Sequence, residues 1–164
     1  MITFLAGELV HLDRGSYAWV SLKRFEIDPI ATDSELLAAL IDHPQFHDHY
    51  AGEPAEEQTH HSLHGPYHLK AISVHSFVHT NAGDAQGQIR AWADSPSPSL
   101  PETHERLRSR VYPVLHSATI YQLRALGADA KHDWAGVIGA NGFLEFIAIA
   151  RDRGELTLAV ASDD

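Results

Sequence analysis

The sequence predicts a small α+β domain built on an antiparallel sheet, and three observations carry that prediction. Residues 2–12 and 17–27 alternate apolar and polar side chains on either side of Asp13-Arg14-Gly15, the period-two pattern of two strands joined at a turn. Residues 132–162 read as a three-strand antiparallel meander, turning at Asn141-Gly142 and at Asp152-Arg153-Gly154. Between these blocks, Leu107, Val111, Val114, Leu115, Ala118, Tyr121 and Ala125 repeat at the helical period, which predicts one long helix against the sheet.

Each element has its own local reason. Thr32 and Glu35 form a capping box, Leu36, Leu37, Leu40 and Ile41 supply an apolar stripe, and Pro44 ends the helix. Residues 43–68 carry few aliphatic side chains and collect turn formers around Gly52, Pro54, Gly65 and Pro66. Pro54 followed by Glu56 and Glu57 fits one short helix inside what is otherwise a long excursion or lid. In residues 69–80, Ile72, Val74 and Val78 alternate with His75, Phe77 and His79, which predicts a strand. Residues 80–87 are turn-rich, and 88–93 suit either a returning strand or a short helix. Residues 95–100 form a Ser/Pro linker too short to separate domains. Pro101 opens the long helix, and Pro113 kinks or divides it, because proline removes a backbone donor and collides with the preceding turn. Two strands, helices and then a meander is the element order of sheets of the PAS or profilin type, in which terminal strands meet in the middle. That likeness is one of fold alone.

The turns of the meander predict its register. A type I′ turn at Asn141-Gly142 sets Ala140 opposite Phe143, Ile138 opposite Glu145 and Gly136 opposite Ile147. A three-residue loop at 152–154, with Gly154 left-handed, sets Arg151 opposite Glu155, Ala148 opposite Leu158 and Phe146 opposite Val160. Alternation then yields two faces. One carries Val137, Leu144, Phe146, Ala148, Leu156, Leu158 and Val160. The other carries Trp134, Gly136, Ile138, Phe143, Glu145, Ile147, Ile149, Thr157, Ala159 and Ala161, and is apolar except for a single carboxylate, Glu145.

Composition bounds the function classes. The 164 residues suffice for one domain, 1–164, with 44% hydrophobic and 21% charged residues, as in a soluble globular protein. A net charge of −10 repels a polyphosphate backbone, so nucleic acid is not an expected partner. The absence of cysteine excludes disulfides, thiolate zinc sites and cysteine nucleophiles. Residues 1–8 lack the basic region of a signal segment, and no apolar run is long enough for a membrane helix, so neither a membrane nor export is expected. The expectation is a cytoplasmic protein, and nine arginines against three lysines, with frequent alanine, point to a GC-rich bacterial genome.

Thirteen histidines are unusual, and nine of them (43, 47, 49, 60, 61, 64, 68, 75 and 79) fall within one span of 37 residues. Histidine titrates near neutrality and binds metals as the neutral imidazole. His43 with His47, and His60 with His64, have helical i,i+4 spacing, but no third ligand completes a zinc motif. The simplest reading is a set of solvated loop histidines. His47-Asp48-His49 sets imidazole and carboxylate side by side. On a strand, His75 and His79 would share a face with Phe77, about 13 Å apart at ~3.3 Å per residue, too far to hold one ion together. Glu145 is the residue singled out, because a carboxylate on an apolar face must pair, protonate or meet a ligand. A buried arginine partner or a homodimer interface over this face would explain it without catalysis. Nucleophile-elbow, Walker, dinucleotide and calcium-loop motifs are absent.

These residues point to cofactor-independent acid/base chemistry of the isomerase, lyase or cyclase type. The expected ligand is an uncharged or cationic small molecule. Glu145, His47, Asp48, His49, His75 and His79 are the candidate catalytic groups; Trp134, Phe143, Ile138 and Phe77 would line the ligand site. No metal or other cofactor is expected. The alternative is a non-catalytic ligand-binding or dimerisation module using the same face, and a metal-dependent enzyme using the His-rich excursion comes third. A lid histidine approaching Glu145 closely enough to divide acid and base roles would distinguish the first two.

Overall fold

The computed structural model describes residues 1–12, 17–50, 62–95, 97–133, 135 and 142–163. Strand β1 (Ile2–His11) pairs with β2 (Ala18–Ile27) as the alternation predicts, with a bulge between Phe4 and Ala6. The turn at Asp13-Arg14-Gly15 lies outside the described residues. Helix α1 (Asp33–Asp42) starts at the predicted capping box: Glu35 N–H donates to Thr32 Oγ1 (3.2 Å) and Thr32 N–H to Glu35 Oε2 (2.7 Å). Its Leu36, Leu37 and Leu40 are buried, each stabilising the fold by about 2 kcal/mol.

Two short strands, β3 (Leu63–His64) and β4 (Tyr67–His68), form a small hairpin. They are followed by β5 (Phe77–Thr80), α2 (Ala82–Ala93), α3 (Pro101–Arg106), β6 (Thr119–Leu123), β7 (Leu144–Ala150) and β8 (Glu155–Asp163). The main sheet has the order β1-β2-β8-β7-β6-β5 with every neighbour antiparallel. The N-terminal hairpin and the last strand therefore meet in the middle. Both faces of the sheet are covered. One core packs α1, Phe46, Tyr50, Tyr67 and Ile72 onto Phe25, Ile147, Ile149, Leu156, Leu158 and Val160. The other packs α2 and residues 107–115 onto Val20, Leu22, Ile120, Phe146, Ala148, Ala159 and Ala161. No helix among the described residues is long and apolar enough to cross a membrane.

Four local expectations are corrected. The long helix ends early. Tyr112 N–H reaches back to Leu107 O across a π turn, Tyr112–Leu115 tightens to a 3-10 turn, and Ser117 has a φ of 55°. Pro113 supplies no N–H and forces this change of pitch. Residues 119–123 form strand β6 instead, because Thr119 to Gln122 find a ladder on β7; Thr, Ile and Tyr suit that pleated surface better than a helix. Residues 82–93 are helical: Asn81 caps the helix by accepting from Asp84 N–H (2.9 Å), and Ala85, Ile89 and Trp92 form its buried stripe. Residues 69–76 are two 3-10 turns, so the predicted strand shrinks to β5.

The fourth correction moves side chains across the sheet. Ala150 pairs with Glu155, leaving the four residues 151–154 as the loop, with Gly154 left-handed at φ 64°. The expected three-residue loop is one residue shorter. Ala148 consequently faces Thr157, Ile147 faces Leu158 and Glu145 faces Val160. A slip of one residue turns β8 over relative to β7, so Leu156, Leu158 and Val160 share the face of Glu145, and Thr157, Ala159 and Ala161 share that of Phe146. Of the remaining strand of the predicted meander, residues 134 and 136–140, with the turn residue Asn141, lie outside the described residues. The neighbour that β7 does show on that side is β6, so β6-β7-β8 is the C-terminal meander.

Candidate functional site

Glu145 lies near the start of β7 in one cross-strand row with Val160 on β8 and Ser21 on β2. Its side chain is wholly buried, and its Oε2 contacts Nε2 of His64, which is also wholly buried. The β3–β4 hairpin delivers His64. Gly65 follows it with a φ of 52°, a conformation that costs a side-chain-bearing residue 1–2 kcal/mol or so, and a Cβ there would run into the Phe143 ring. Gly65 N–H donates to Asp48 O (2.8 Å), His132 Nε2–H donates to Gly65 O (2.7 Å), and His132 N–H donates to Pro66 O (3.2 Å). The hairpin is held by a segment that precedes it and by one that follows it in the chain.

The other ring nitrogen of His64, Nδ1, faces Phe46 O. A carbonyl only accepts, so Nδ1 carries a proton. The contact between Nε2 and Oε2 then holds one more proton, on the imidazole or on the carboxyl, and the pair is neutral overall in either arrangement. The His64 ring stacks on Phe46 at 3.6 Å between centroids with 3° between planes, and meets Tyr50 and Phe143 edge-on at 5.9 and 6.2 Å. These aromatic walls exclude water and strengthen every electrostatic interaction inside. Glu145 Oε1 is buried without a hydrogen-bond partner. An unpaired buried acceptor costs about 1–3 kcal/mol, and a ligand donor would relieve that cost.

Tyr50 forms another wall. Its φ is 59°, supported by a turn in which Tyr50 N–H donates to Asp48 Oδ1 (2.8 Å). The ring stacks on Trp19 (5.5 Å) and lies 4.9 Å from the Lys23 ammonium. The hydroxyl is buried; Ser21 influences it, but no hydrogen bond of good geometry forms. Burial, followed by the charges of Asp48 and Glu145, pushes its pKa well above 10.0 against a smaller opposing effect of Ser21. Tyr50 is therefore a neutral phenol at ordinary pH. Lys23 Nζ donates to Asp48 Oδ2 (2.8 Å) and to Gln45 O (2.7 Å). Burial pushes the Asp48 pKa up, but Lys23 and the Tyr50 amide outweigh it and hold the carboxyl below 3.8.

The predicted site residues separate into two groups. Glu145, Asp48 and Phe143 belong to this cluster, and His47 and His49 flank Asp48. His47 Nε2 donates to Ile41 O (2.9 Å), a structural bond, while the charge of His49 helps lower the Asp48 pKa. Phe77 is buried in the same core. His75 and His79 do not share a strand: His75 is exposed in a 3-10 turn and His79 is exposed on β5, its ring 5.6 Å from Tyr121. The Ser73–Ser76 turn causes this, with Ser76 N–H on Ser73 O (2.9 Å) and Ser73 N–H on Ser76 Oγ (3.0 Å). Trp134 and Ile138, with His60 and His61, lie outside the described residues. The expected sparse anchoring of residues 43–68 does not hold at its flanks, where Phe46, Tyr50, His64 and Tyr67 are core residues.

Glu145 has no arginine partner among the described residues; its partner is a histidine of the His-rich span. His64 was one of nine and Gly65-Pro66 beside it was the only signal that could mark it. Ser21 and Lys23 were legible as polar positions in the otherwise apolar row Trp19, Phe25 and Ile27 on β2. No three imidazole or carboxylate groups converge at metal-ligand spacing among the described residues. Compared with protein-family models, with curated proteins and with solved structures, the chain matches none.

Proposed function

We propose that this protein carries out cofactor-independent proton transfer on a small uncharged or cationic molecule, as in an isomerisation, elimination or cyclisation, with Glu145 and His64 as its acid/base pair. One observation carries the reading: a sealed imidazole–carboxylate pair whose Oε1 has no partner. With the shared proton on Nε2, Glu145 is a carboxylate able to take a proton at Oε1. With that proton on Oε2, it is an acid stabilised by neutral His64. Either state needs no charge brought in from solvent. Phe46 O fixes the His64 ring and so fixes which nitrogen meets the carboxylate.

The second reading is a non-catalytic binding module, and the complete burial of both side chains favours it. Incubating the protein in heavy water with a panel of small ketones separates the two. Deuterium entering the carbon next to the carbonyl, lost in Glu145→Gln, is the expected result. Saturable binding without exchange across the panel would favour the binding module.

A further inference from the structure

Two oxygens in this core lack a hydrogen bond of good geometry, Glu145 Oε1 and the Tyr50 hydroxyl, and they belong to residues 99% and 91% buried. The third such oxygen among the described residues, on Tyr112, belongs to the opposite core. Ser21, whose side chain Tyr50 senses, and Glu145 are both direct cross-strand neighbours of Val160. Two inter-strand steps of ~4.8 Å set their backbones about 10 Å apart. Tyr50 is built for this position at some cost. Its left-handed φ strains a residue with a Cβ, and the Asp48 turn, the Trp19 stack and the Lys23 ammonium together hold it there.

Resting on the acid/base reading above, we infer that Tyr50 is the hydrogen-bond donor for a ligand carbonyl oxygen, so that the site takes uncharged carbonyl compounds with an acidic α-hydrogen. Glu145 Oε1 removes the α-proton. The C–H electron pair forms a C=C bond, and the carbonyl π electrons move to oxygen, where the Tyr50 O–H stabilises the enolate. A proton returns from the Glu145 carboxyl to carbon, at the original or a conjugated position and after exchange with solvent where that is faster than return, so no oxidant or reductant is consumed. A phenol held neutral can donate to that oxygen, whereas a phenolate would repel the enolate. A cationic ligand gains nothing from this donor and is disfavoured by the Lys23 ammonium beside Tyr50.

Cyclohexanone is the probe, with cyclohexane and cyclohexylammonium as controls, on protein carrying carbon-13 at tyrosine Cζ. Tyr50→Phe assigns the Tyr50 signal. That signal is expected to move saturably with cyclohexanone in both the wild type and Glu145→Gln, and to stay still with either control. In heavy water, Tyr50→Phe should slow α-hydrogen exchange by roughly 10²-fold at nearly unchanged KM. A signal that does not move, or that moves equally with cyclohexane, overturns the assignment of Tyr50, as does undiminished exchange in Tyr50→Phe. A saturable shift without exchange in the wild type keeps the Tyr50 subsite and removes the proton-abstraction reading instead.

Discussion

His64 and Glu145 stand 81 positions apart in sequence and meet through Nε2 and Oε2, both side chains closed off from solvent. Because Phe46 O commits Nδ1 to donating, neutral His64 offers Nε2 as an acceptor. The side-chain amide of glutamine can donate to that nitrogen. Glu145→Gln is therefore expected to stay within about 1 kcal/mol of wild-type stability, a typical single hydrogen-bond difference. Glu145→Ala strands the imidazole and should lose ~3–5 kcal/mol. Urea unfolding of the two variants measures the contrast, and a glutamine variant as unstable as the alanine one would contradict the proton arrangement deduced for the pair.

Gly65 and Phe143 are expected to be coupled. Gly65→Ala forces a left-handed conformation on alanine and drives its Cβ into the Phe143 ring, together costing about 2–4 kcal/mol. Phe143→Ala removes the collision but leaves the φ, so the double variant should be more stable than the two single losses predict by ~1–2 kcal/mol. Strict additivity in thermal or urea unfolding would show that the ring does not rest on Gly65.

The Asp33–Tyr121 contact sets a pH dependence at both ends of the scale. Tyr121 donates to Asp33 Oδ2 (2.6 Å) while Arg151 holds Oδ1. That hydrogen bond, with burial and the Asp33 charge, pushes the Tyr121 pKa from 10.0 to about 12. A raised folded pKa means its contribution to stability is full below pH 10 and disappears as pH rises through about 12. Burial raises the Asp33 pKa, but Tyr121 and Arg151 outweigh it, so the net shift is downward from 3.8. Its contribution is full above pH 3.8 and disappears as pH falls through the lower folded value. Phenolate absorbance should show Tyr121 titrating near 12, moving toward 10 in Asp33→Asn, and that variant should lose less stability at both extremes than the wild type. An unchanged Tyr121 midpoint would disprove the contact.

Lys23 and Asp48 give the site its own acid limb. The Asp48 carboxyl is held below 3.8 although burial opposes this, since Lys23 and the Tyr50 amide prevail. The pair's stabilisation is present above that pH and lost as pH falls through the folded value. Asp48→Asn is expected to flatten the acid side of the stability profile and to loosen the Tyr50 turn. Faster amide exchange at Tyr50, whose N–H donates to the Asp48 side chain, should accompany it. Unaltered exchange at that amide would show that the Asp48 side chain does not position Tyr50.

What the sequence alone determined was local. The Thr32–Glu35 box and the alternation of β1 and β2 need only a few neighbouring residues, and the structure shows both where those residues predict them. The face of Glu145 on β7 followed from alternation within one strand, which is why its burial was legible. Tertiary structure decided the rest. Residues 119–123 satisfy helical and strand periods alike, and only a waiting edge on β7 makes them a strand. The β7–β8 register turned on whether a loop of three or four residues joins them, a difference small in local energy that packing on both faces of the sheet settles. Nine histidines in one span carry nearly identical local chemistry. His64 alone among the described ones reaches Glu145, because Gly65 turns the hairpin, Phe46 stacks beneath the ring and the Phe46 carbonyl aligns it, contacts between segments that no spacing rule within the chain could bring together.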